Sequence, residues 1–496
     1  MAQVIILTGS RPVNPSLTSA VHRTLGAYRV ASSLMQSGYT VQVIDYIQYM
    51  TANEIISCLK KHLGEETLWI GYSSTFFGMR ISEEHDHRRM YQMNTENIDI
   101  VYDYIRKNSQ CKIVFGGAFA LDRRYDSRVD YYISGYADNS VINLTDYLSG
   151  KIQSLNASKL DNGAFLIESS SYPEPQMDNI KTNWEHPSFH LLPDEPISLE
   201  FARGCIFKCK FCNYPLLGKK KGTYIRDMEE VRDELTRLWE VTGTDTFYIT
   251  DDTFNDDNDK MENFHKLFTS LPFKPKFSCF LRLDLVDRYP HQTELLLEAG
   301  IVGAFFGVET FNVRSGKAIG KGLHPDKVKK RLKMVGDIWN GKVNIGAGLI
   351  IGLPYDDDTY IQELYDYVTS AEYPIHQTSF NPLWIPDPKH GTNTYSSEFT
   401  LNPKIYGYSF DENGRWIHED GMTYDKAINI SNWLSTITEC KNTDRIADFQ
   451  VISHLAMGIE MNDMLNLTLP QLHNKYDFEK LNNEKINMYK KMIGAI

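Results

Sequence analysis

Arg203-Gly204-Cys205-Ile206-Phe207-Lys208-Cys209-Lys210-Phe211-Cys212-Asn213-Tyr214 follows directly on the apolar run 197–202, which reads as a strand. Three thiols therefore fall within eight residues of one another on a loop at a strand end. Three thiolates can hold a cubane iron–sulfur cluster and leave one iron without a protein ligand, the opening that a substrate or cofactor needs. A structural zinc or electron-transfer site normally takes a fourth ligand. No fourth Cys or His lies near in sequence, although His186 or His190 could approach in the fold.

Working outward, strand-like and helical stretches alternate on the C-terminal side. Residues 227–242 read as an amphipathic helix, with Met228, Val231, Leu235 and Leu238 on one face at steps of three and four. Strands are expected at 246–250, 277–283, 302–308, 343–351 and 378–384, with helices from about Asp259, Gln292, Pro325 and Thr359 between them. With 197–202 these make six βα units, a partial (β/α)6 barrel whose working face is the carboxyl ends of its strands. On the N-terminal side, apolar runs at 4–7, 41–44, 69–72, 113–115 and 131–133 alternate with helical spacing at 25–36 and 97–107, the pattern of a doubly wound, Rossmann-like parallel sheet. Ligands bind such sheets outside the carboxyl ends of the strands, here the loops 8–12, 45–47, 73–78, 116–118 and 135–138. Gly116 and Gly117 suit a place where backbone turns tightly or approaches a ligand closely, and equally a plain pair of turn glycines.

The expected organisation is an α/β domain over 1–150, a connector over 151–195 rich in Ser, Asn, Asp and Pro, the barrel over 196–385 and a mixed C-terminal extension over 386–496. The extension is expected to close the barrel, with Trp384, Tyr406 and His418 either facing substrate or simply packed. Hydrophobic residues at 42% and charged residues at 23% exclude disordered and membrane classes. The absence of a basic leader, and of an apolar run of about 20 residues, points to a cytoplasmic protein with no membrane partner. A net charge of −12 argues against general nucleic-acid binding. Lys219, Lys220 and Lys221 read as a solvated loop, or as a contact for an anion. Seven cysteines in a reducing compartment suggest metal or catalysis at the clustered three, and Cys58, Cys111, Cys279 and Cys440 read as small core residues.

The CxxxCxxC spacing, with Phe211 just before the last Cys and the loop placed after the first of six βα strands, resembles the radical S-adenosylmethionine (SAM) superfamily. The resemblance implies a [4Fe-4S] cluster on Cys205, Cys209 and Cys212, with SAM chelating the open iron and yielding methionine and a 5′-deoxyadenosyl radical on reductive cleavage. It implies an external electron donor such as flavodoxin or ferredoxin, and it puts Phe211 near the adenine. In Ile249-Thr250-Asp251-Asp252-Thr253-Phe254, Asp251 or Asp252 would meet the amino group of the methionine moiety; helix N-capping is the alternative. Arg282 in FLRLD would pair with the methionine carboxylate, since an Arg inside a barrel needs an anionic partner. Gly307-Val308-Glu309-Thr310 resembles the family's Gly-x-Glu-Ser type segment, making Glu309 a polar contact to SAM. Gly352-Leu353-Pro354 resembles the family's turn near the adenine. Each segment alone is weak; their order at successive strand ends is not.

An α/β domain ahead of such a barrel resembles the cobalamin-binding class of the superfamily, carried by Gly26-Ala27-Tyr28-Arg29, Val43-Ile44-Asp45, KIVFGGAFA and DYYISGYAD. The Asp-x-His-x-x-Gly signature that supplies a histidine to cobalt is missing, since Tyr46-Ile47-Gln48 follows Asp45. Some members bind cobalamin without that histidine and others keep the domain without the cofactor. The resemblance implies cobalamin-dependent methylation of an unactivated carbon. A cobalamin-free radical rearrangement, cyclisation or oxidation, and a noncatalytic metal-binding module, are the alternatives.

Overall fold

The structure, a computed structural model, describes residues 1–9, 22–73, 95–117, 120, 127–174, 177, 181–214, 216–220, 222–321, 323–387, 397–442 and 450–496. Most of the expected ligand loops 8–12 and 73–78, together with Ala118 and Lys221, lie outside the described residues, as does the side chain of Cys440. The chain forms two compact units. The first comprises Met1–Ser198, Glu230–Thr244 and Phe478–Ile496; the second comprises Leu199–Glu229 and Asp245–Asp477.

The first unit is built on strands β1 (Val4–Leu7), β2 (Val41–Ile44), β3 (Trp69–Ser73), β4 (Lys112–Gly117), β5 (Tyr131–Ser134), β6 (Ser158–Lys159) and β7 (Phe165–Glu168), in the order β2-β1-β3-β4-β5-β7-β6. All pairs are parallel except β6 with β7. Every residue of β1, β2 and β5 is buried, as expected of parallel strands covered on both faces. The covering helices include α1 (Leu25–Gln36), α2 (Ala52–His62), α3 (Thr95–Asn108) and α4 (Asp138–Leu148). A reciprocal Thr51–Glu54 capping box starts α2. The edge strands β6 and β7 fall in the stretch read as connector. They are short, and Phe165 and Glu168 are exposed, so backbone pairing extends the sheet there without a hydrophobic pattern to announce it.

Helix α5 (Met228–Thr242) buries Val231, Leu235 and Leu238, the stripe read from the sequence, and its Glu234 accepts from Trp184 Nε1 at 3.1 Å. The helix Phe478–Ile493 also belongs to this unit, with Ile486, Tyr489 and Ile493 in one core with Ile44, Tyr46 and Ile55. Fully buried Arg23 ties these parts together. Its guanidinium donates to Glu195 at 2.9 Å, to the carbonyls of Phe189 at 2.7 Å and His190 at 3.1 Å, and to the Tyr28 hydroxyl. Tyr28 donates to Asp45 at 2.5 Å, Tyr46 donates to Glu195, and the Asp45 amide donates to Tyr489 Oη at 2.7 Å. Burial opposes the guanidinium's charge, and Glu195, ahead of Tyr28, Tyr46 and Asp45, more than restores it.

The second unit holds a six-stranded sheet in strict sequence order, the partial barrel: β8 (Ile197–Leu199), β9 (Thr246–Ile249), β10 (Lys276–Leu281), β11 (Ile301–Glu309), β12 (Asn344–Ile351) and β13 (Gln377–Pro382). Each pair from β9 to β13 is parallel. The chain passes from the first unit to the second within β8. Helices α6 (Asn258–Thr269), α7 (Leu283–Arg288), α8 (Gln292–Ala299), α9 (Val313–Ile319), α10 (Pro325–Trp339) and α11 (Asp358–Val368) link the strands. Phe201, Phe254, Phe264, Phe268 and Phe277 interlock with ring centroids 4.0–6.3 Å apart, mostly edge to face. Beyond β13 come α12 (Glu398–Leu401), the hairpin of β14 (Tyr408–Phe410) and β15 (Trp416–His418), and α13 (Tyr424–Asn442). Cys58, Cys111 and Cys279 are buried. Among the described residues no helix is long and apolar enough to cross a membrane.

Removing one partner of a buried, hydrogen-bonded ion pair leaves the other charge uncompensated. Arg23→Ala is therefore expected to destabilise the first unit by about 3–5 kcal/mol, read as a shift of its transition in denaturant unfolding followed by near-UV circular dichroism. A change below about 1 kcal/mol, the range of an exposed ion pair, would contradict this role.

Candidate active site

The loop after β8 begins because the strand is stopped. Asp251, at the end of β9, accepts from the amides of Phe201 at 2.8 Å and Ala202 at 3.1 Å through one oxygen, and its other oxygen meets Lys260 at 3.3 Å. Lys260, fully buried, also pairs with Asp256 at 2.7 Å. Gly204 then takes φ +126°, where a Cβ would stand 2.6 Å from the Lys219 side chain, so the turn requires glycine. Residues 216–219 run alongside the loop: Cys205 N donates to Leu216 O at 2.9 Å, Gly218 N to Phe207 O at 3.1 Å and Lys219 N to Cys205 O at 3.0 Å. A tight turn joins Cys212 N to Cys209 O at 3.1 Å.

Cys205 is buried, and Cys209 and Cys212 are half-buried. Burial pushes the Cys212 thiol up to about 12, and Cys209, Asp252 and Cys205 add to it; burial also raises Cys205. The thiols thus share one neighbourhood in which thiolates want a cation, the setting a metal centre satisfies. Among the described residues no three His, Cys, Asp or Glu side chains converge as a single-ion site requires. Arg282, at the end of β10, donates to Cys209 Sγ at 3.2 Å, holds Asp284 by two bonds of 3.0 and 2.7 Å and lies 3.7 Å over the Phe207 ring. Asp284 is thus the anionic partner of Arg282 within the chain, and it stands two residues on in the same FLRLD segment.

Neither Asp251 nor Asp252 caps the following helix; Asp257 does, accepting from Lys260 N at 3.0 Å. Asp251 is consumed by its amides and Lys260, whereas Asp252 reaches solvent. Partial desolvation, then Asp251 and Glu200, push the Asp252 carboxyl up to about 7 against a hydrogen bond from Tyr214. Glu309 ends β11 at φ +68°, uncommon for a residue with a side chain, and its carboxylate meets Lys321 at 3.2 Å. Phe211 is half-buried on the cysteine loop. Gly352 ends β12 at φ +92°; its amide donates to Asp356 at 3.0 Å, its carbonyl accepts from Tyr408 at 2.7 Å, and a Cβ would stand 2.5 Å from Trp416. A cleft of about 620 Å³, counting its open mouth, lies beside these strand ends and is lined by Asp284, Gly307, Thr310, Lys321 and His324 among others.

Within the extension, His418 Nε2 lies 3.0 Å from the Tyr406 carbonyl and Tyr406 packs on Phe399, while Trp384, just after β13, packs near Tyr424. In the first unit, Gly116 and Gly117 end β4 opposite Ile133 and Ser134, and Gly117 takes φ +110°. Thr8 Oγ1 and Ser134 Oγ, also at the carboxyl edge of that sheet, are buried without a hydrogen-bond partner among the described residues. Lys260, Asp284 and Lys321 also belong to this neighbourhood, and no motif in the sequence marks them. Each is a charge answering an opposite charge that is buried or half-buried, and in the first two cases the partner lies within nine residues.

Residues 199–368 match the model of the Radical SAM superfamily. This barrel is a radical SAM domain. Cytidylyl-2-hydroxyethylphosphonate methyltransferase of Streptomyces wedmorensis is 26% identical over 182 residues, 35% of this chain and 32% of that protein. The cobalamin-dependent SAM radical enzyme OxsB, solved with aqua-cobalamin and SAM bound, is 17% identical with a TM-score of 0.57, over 82% of this chain and 56% of that one. The radical SAM methyltransferase TsrM from Kitasatospora setae, solved with cobalamin and a [4Fe-4S] cluster, is 14% identical with a TM-score of 0.54, over 77% of this chain and 72% of that one. The last two likenesses are of fold. The chain thus spans about a third of the curated relative and little more than half of OxsB.

The different settings of Asp251 and Asp252 separate their roles. Asp251→Ala orphans two buried amides and one carboxylate bond of Lys260, and is expected to cost about 3 kcal/mol in denaturant unfolding of the second unit. Asp252→Ala is expected to stay within about 0.5 kcal/mol of the parent, as surface changes do. Equal costs would contradict the assignment.

Proposed function

We propose that this chain is a radical SAM enzyme that methylates an unactivated carbon with the help of cobalamin. The observation that carries the reading is the joining, in one chain, of a doubly wound parallel sheet to a radical SAM domain whose first strand ends in three clustered thiols. The likeness of fold to OxsB and TsrM, over most of this chain, and the methyltransferase named among its relatives, support it.

When bound, a [4Fe-4S] cluster and SAM supply a 5′-deoxyadenosyl radical, and cobalamin supplies the methyl group. Cys205, Cys209 and Cys212 would hold the cluster, and the donor set fits: three soft ligands on one short loop at a strand end. Arg282 would steady the Cys209 thiolate by its hydrogen bond while Asp284 keeps the guanidinium in place. The open Asp252 and the Glu309–Lys321 pair would bind the amino and carboxylate groups of SAM, with Phe211 and Gly352 near its adenine. In the first unit the unpartnered hydroxyls of Thr8 and Ser134, beside Gly116 and Gly117, would meet cobalamin. Asp45 cannot lead an axial ligand toward such a site, because its carboxylate and amide are spent on Tyr28, Tyr46 and Tyr489.

Anaerobic reconstitution tests the reading. Cluster absorption with corrin bands, formation of 5′-deoxyadenosine, and a cob(II)alamin electron paramagnetic resonance signal without axial-nitrogen splitting are expected. The triple Cys205→Ala, Cys209→Ala, Cys212→Ala variant should lose all cluster iron. A cluster without corrin uptake would move the enzyme to cobalamin-free radical chemistry, and a colourless zinc protein would make it a noncatalytic module.

Glu309→Ala is expected to weaken SAM binding by about thirtyfold, the equivalent of roughly 2 kcal/mol for one charge-assisted contact, with iron content unchanged. Equilibrium dialysis with labelled SAM reads this, and unaltered affinity would remove Glu309 from the site.

A further inference from the structure

Two strand ends carry the contacts assigned to SAM at Glu309 and Gly352, and one buried side chain ties the segments behind them together. Asp356, 3% exposed, accepts through Oδ2 from the amides of Gly352 and Leu353, both at 3.0 Å. Its other oxygen, Oδ1, lies 3.1 Å from Ser315 Oγ, which in turn lies 2.7 Å from the Pro354 carbonyl. Ser315 is fully buried in α9, the helix that follows Glu309. Further bonds join the same two segments. Asn312 Nδ2 donates to Tyr355 O at 2.8 Å, and Tyr360 Oη accepts from Phe311 N at 3.1 Å and lies 2.9 Å from Thr310 Oγ1. Tyr408 holds the turn from β14 by donating to Gly352 O at 2.7 Å.

The hydrogens at this junction can be counted. Two oxygen–oxygen contacts meet at Ser315 Oγ, and each needs one hydrogen. The Pro354 carbonyl has none, and the serine hydroxyl has one, which the shorter contact takes. The other must come from Asp356. Since Oδ2 accepts two amides it is the carbonyl oxygen, so the hydrogen stands on Oδ1 and is donated to Ser315. The surrounding charges agree. Among the described residues Asp356 forms no ion pair: Arg314 lies 3.9 Å over the Tyr355 ring, Lys317 is exposed, and Lys321 meets Glu309. The titratable groups that face it are Asp357 and Tyr360 of α11 and Tyr408 of β14, none of them a cation. Burial pushes the carboxyl up to about 7 against the bonds from Ser315, Gly352 and Leu353, and Asp357 adds to the rise.

We propose that Asp356 is a positioning residue that works as a neutral acid, its proton clasping the segment after β11 to the turn after β12 and so holding both halves of the SAM site together. The inference rests on the SAM contacts assigned above. Ionisation removes the hydrogen: Ser315 can then satisfy Oδ1 or the Pro354 carbonyl, never both, and an unpaired charge is left in the interior. The direction of the pH dependence follows. With the folded carboxyl raised from the ordinary 3.8, the clasp's contribution to stability is whole below that value and is lost as pH rises through about 7. SAM affinity senses only the folded clasp, and it falls as pH rises through the same upper value.

The test measures SAM binding to the reconstituted full chain by equilibrium dialysis at about pH 6 and about pH 8.5, on either side of the titration. Asp356→Asn keeps the clasp without a titrating group, because its carbonyl can accept both backbone amides and its amide can donate to Ser315. D356N should match the wild type at the lower pH. At the higher pH the wild type should bind about tenfold more weakly than D356N, one hydrogen bond's worth, a ratio in which any titration of SAM itself cancels. D356A, with no clasp, should bind about tenfold more weakly than the wild type at the lower pH. Infrared spectra read the proton directly: the wild type minus D356N difference should show a protonated-carboxyl C=O band at the lower pH and lose it at the higher. A missing band, an affinity ratio of wild type to D356N that does not change with pH, or equal affinity of D356A and wild type would overturn the proposal. No SAM binding by the wild type at either pH would count against the function proposed above instead, and the infrared band would still judge the proton on Asp356.

Discussion

The carboxylate of Asp251 decides where the first barrel strand ends. Phe201 and Ala202 would otherwise seek the next residues of β9 for their amides; one buried oxygen takes both, and the chain is released into the loop that carries the thiols. A carboxylate 2% exposed is costly to keep charged, and Lys260, shared with Asp256, is what makes it tolerable. The aromatic cluster of Phe201, Phe254 and Phe264 packs against the same junction, so strand end, loop origin and core are fixed together. The positions of Cys205 and of the strip at 216–219 follow from that stop.

The two units use charge alike in their interiors and differently at the strand ends. Arg23 in the first and Lys260 in the second are cations enclosed by two carboxylates each, satisfied from all sides and closed to solvent. Arg282–Asp284 and Glu309–Lys321 are instead partly open and sit where strands run out. Interior networks of the first kind hold geometry; pairs of the second kind keep donors and acceptors that an incoming polar group can share.

The alternation of apolar runs and helical stripes made both sheets legible, because parallel strands buried on two faces are continuous hydrophobic runs. The thiol loop was legible from spacing alone. What escaped was the edge pair β6 and β7, too short and exposed to carry a pattern, and the return of the helix Phe478–Ile493 to the first unit. An amphipathic stripe shows that a helix packs, never against what. The Asp251–Lys260–Asp256 triad was hidden for a related reason: a charge run such as DDTFNDDNDK looks solvated until the fold encloses it.

That returning helix bears on how the protein is made. Ile486, Tyr489 and Ile493 complete a core whose other members, Leu7, Ile44 and Ile55, leave the ribosome hundreds of residues earlier. At about 5–20 residues per second the N-terminal sheet waits tens of seconds with the ground around Asp45 uncovered. The barrel, whose strands and helices are all synthesised before the last helix, has its full set of parts first. The N-terminal unit is therefore the last to mature, and during synthesis it is the part of the chain that a chaperone or a protease would meet half-finished.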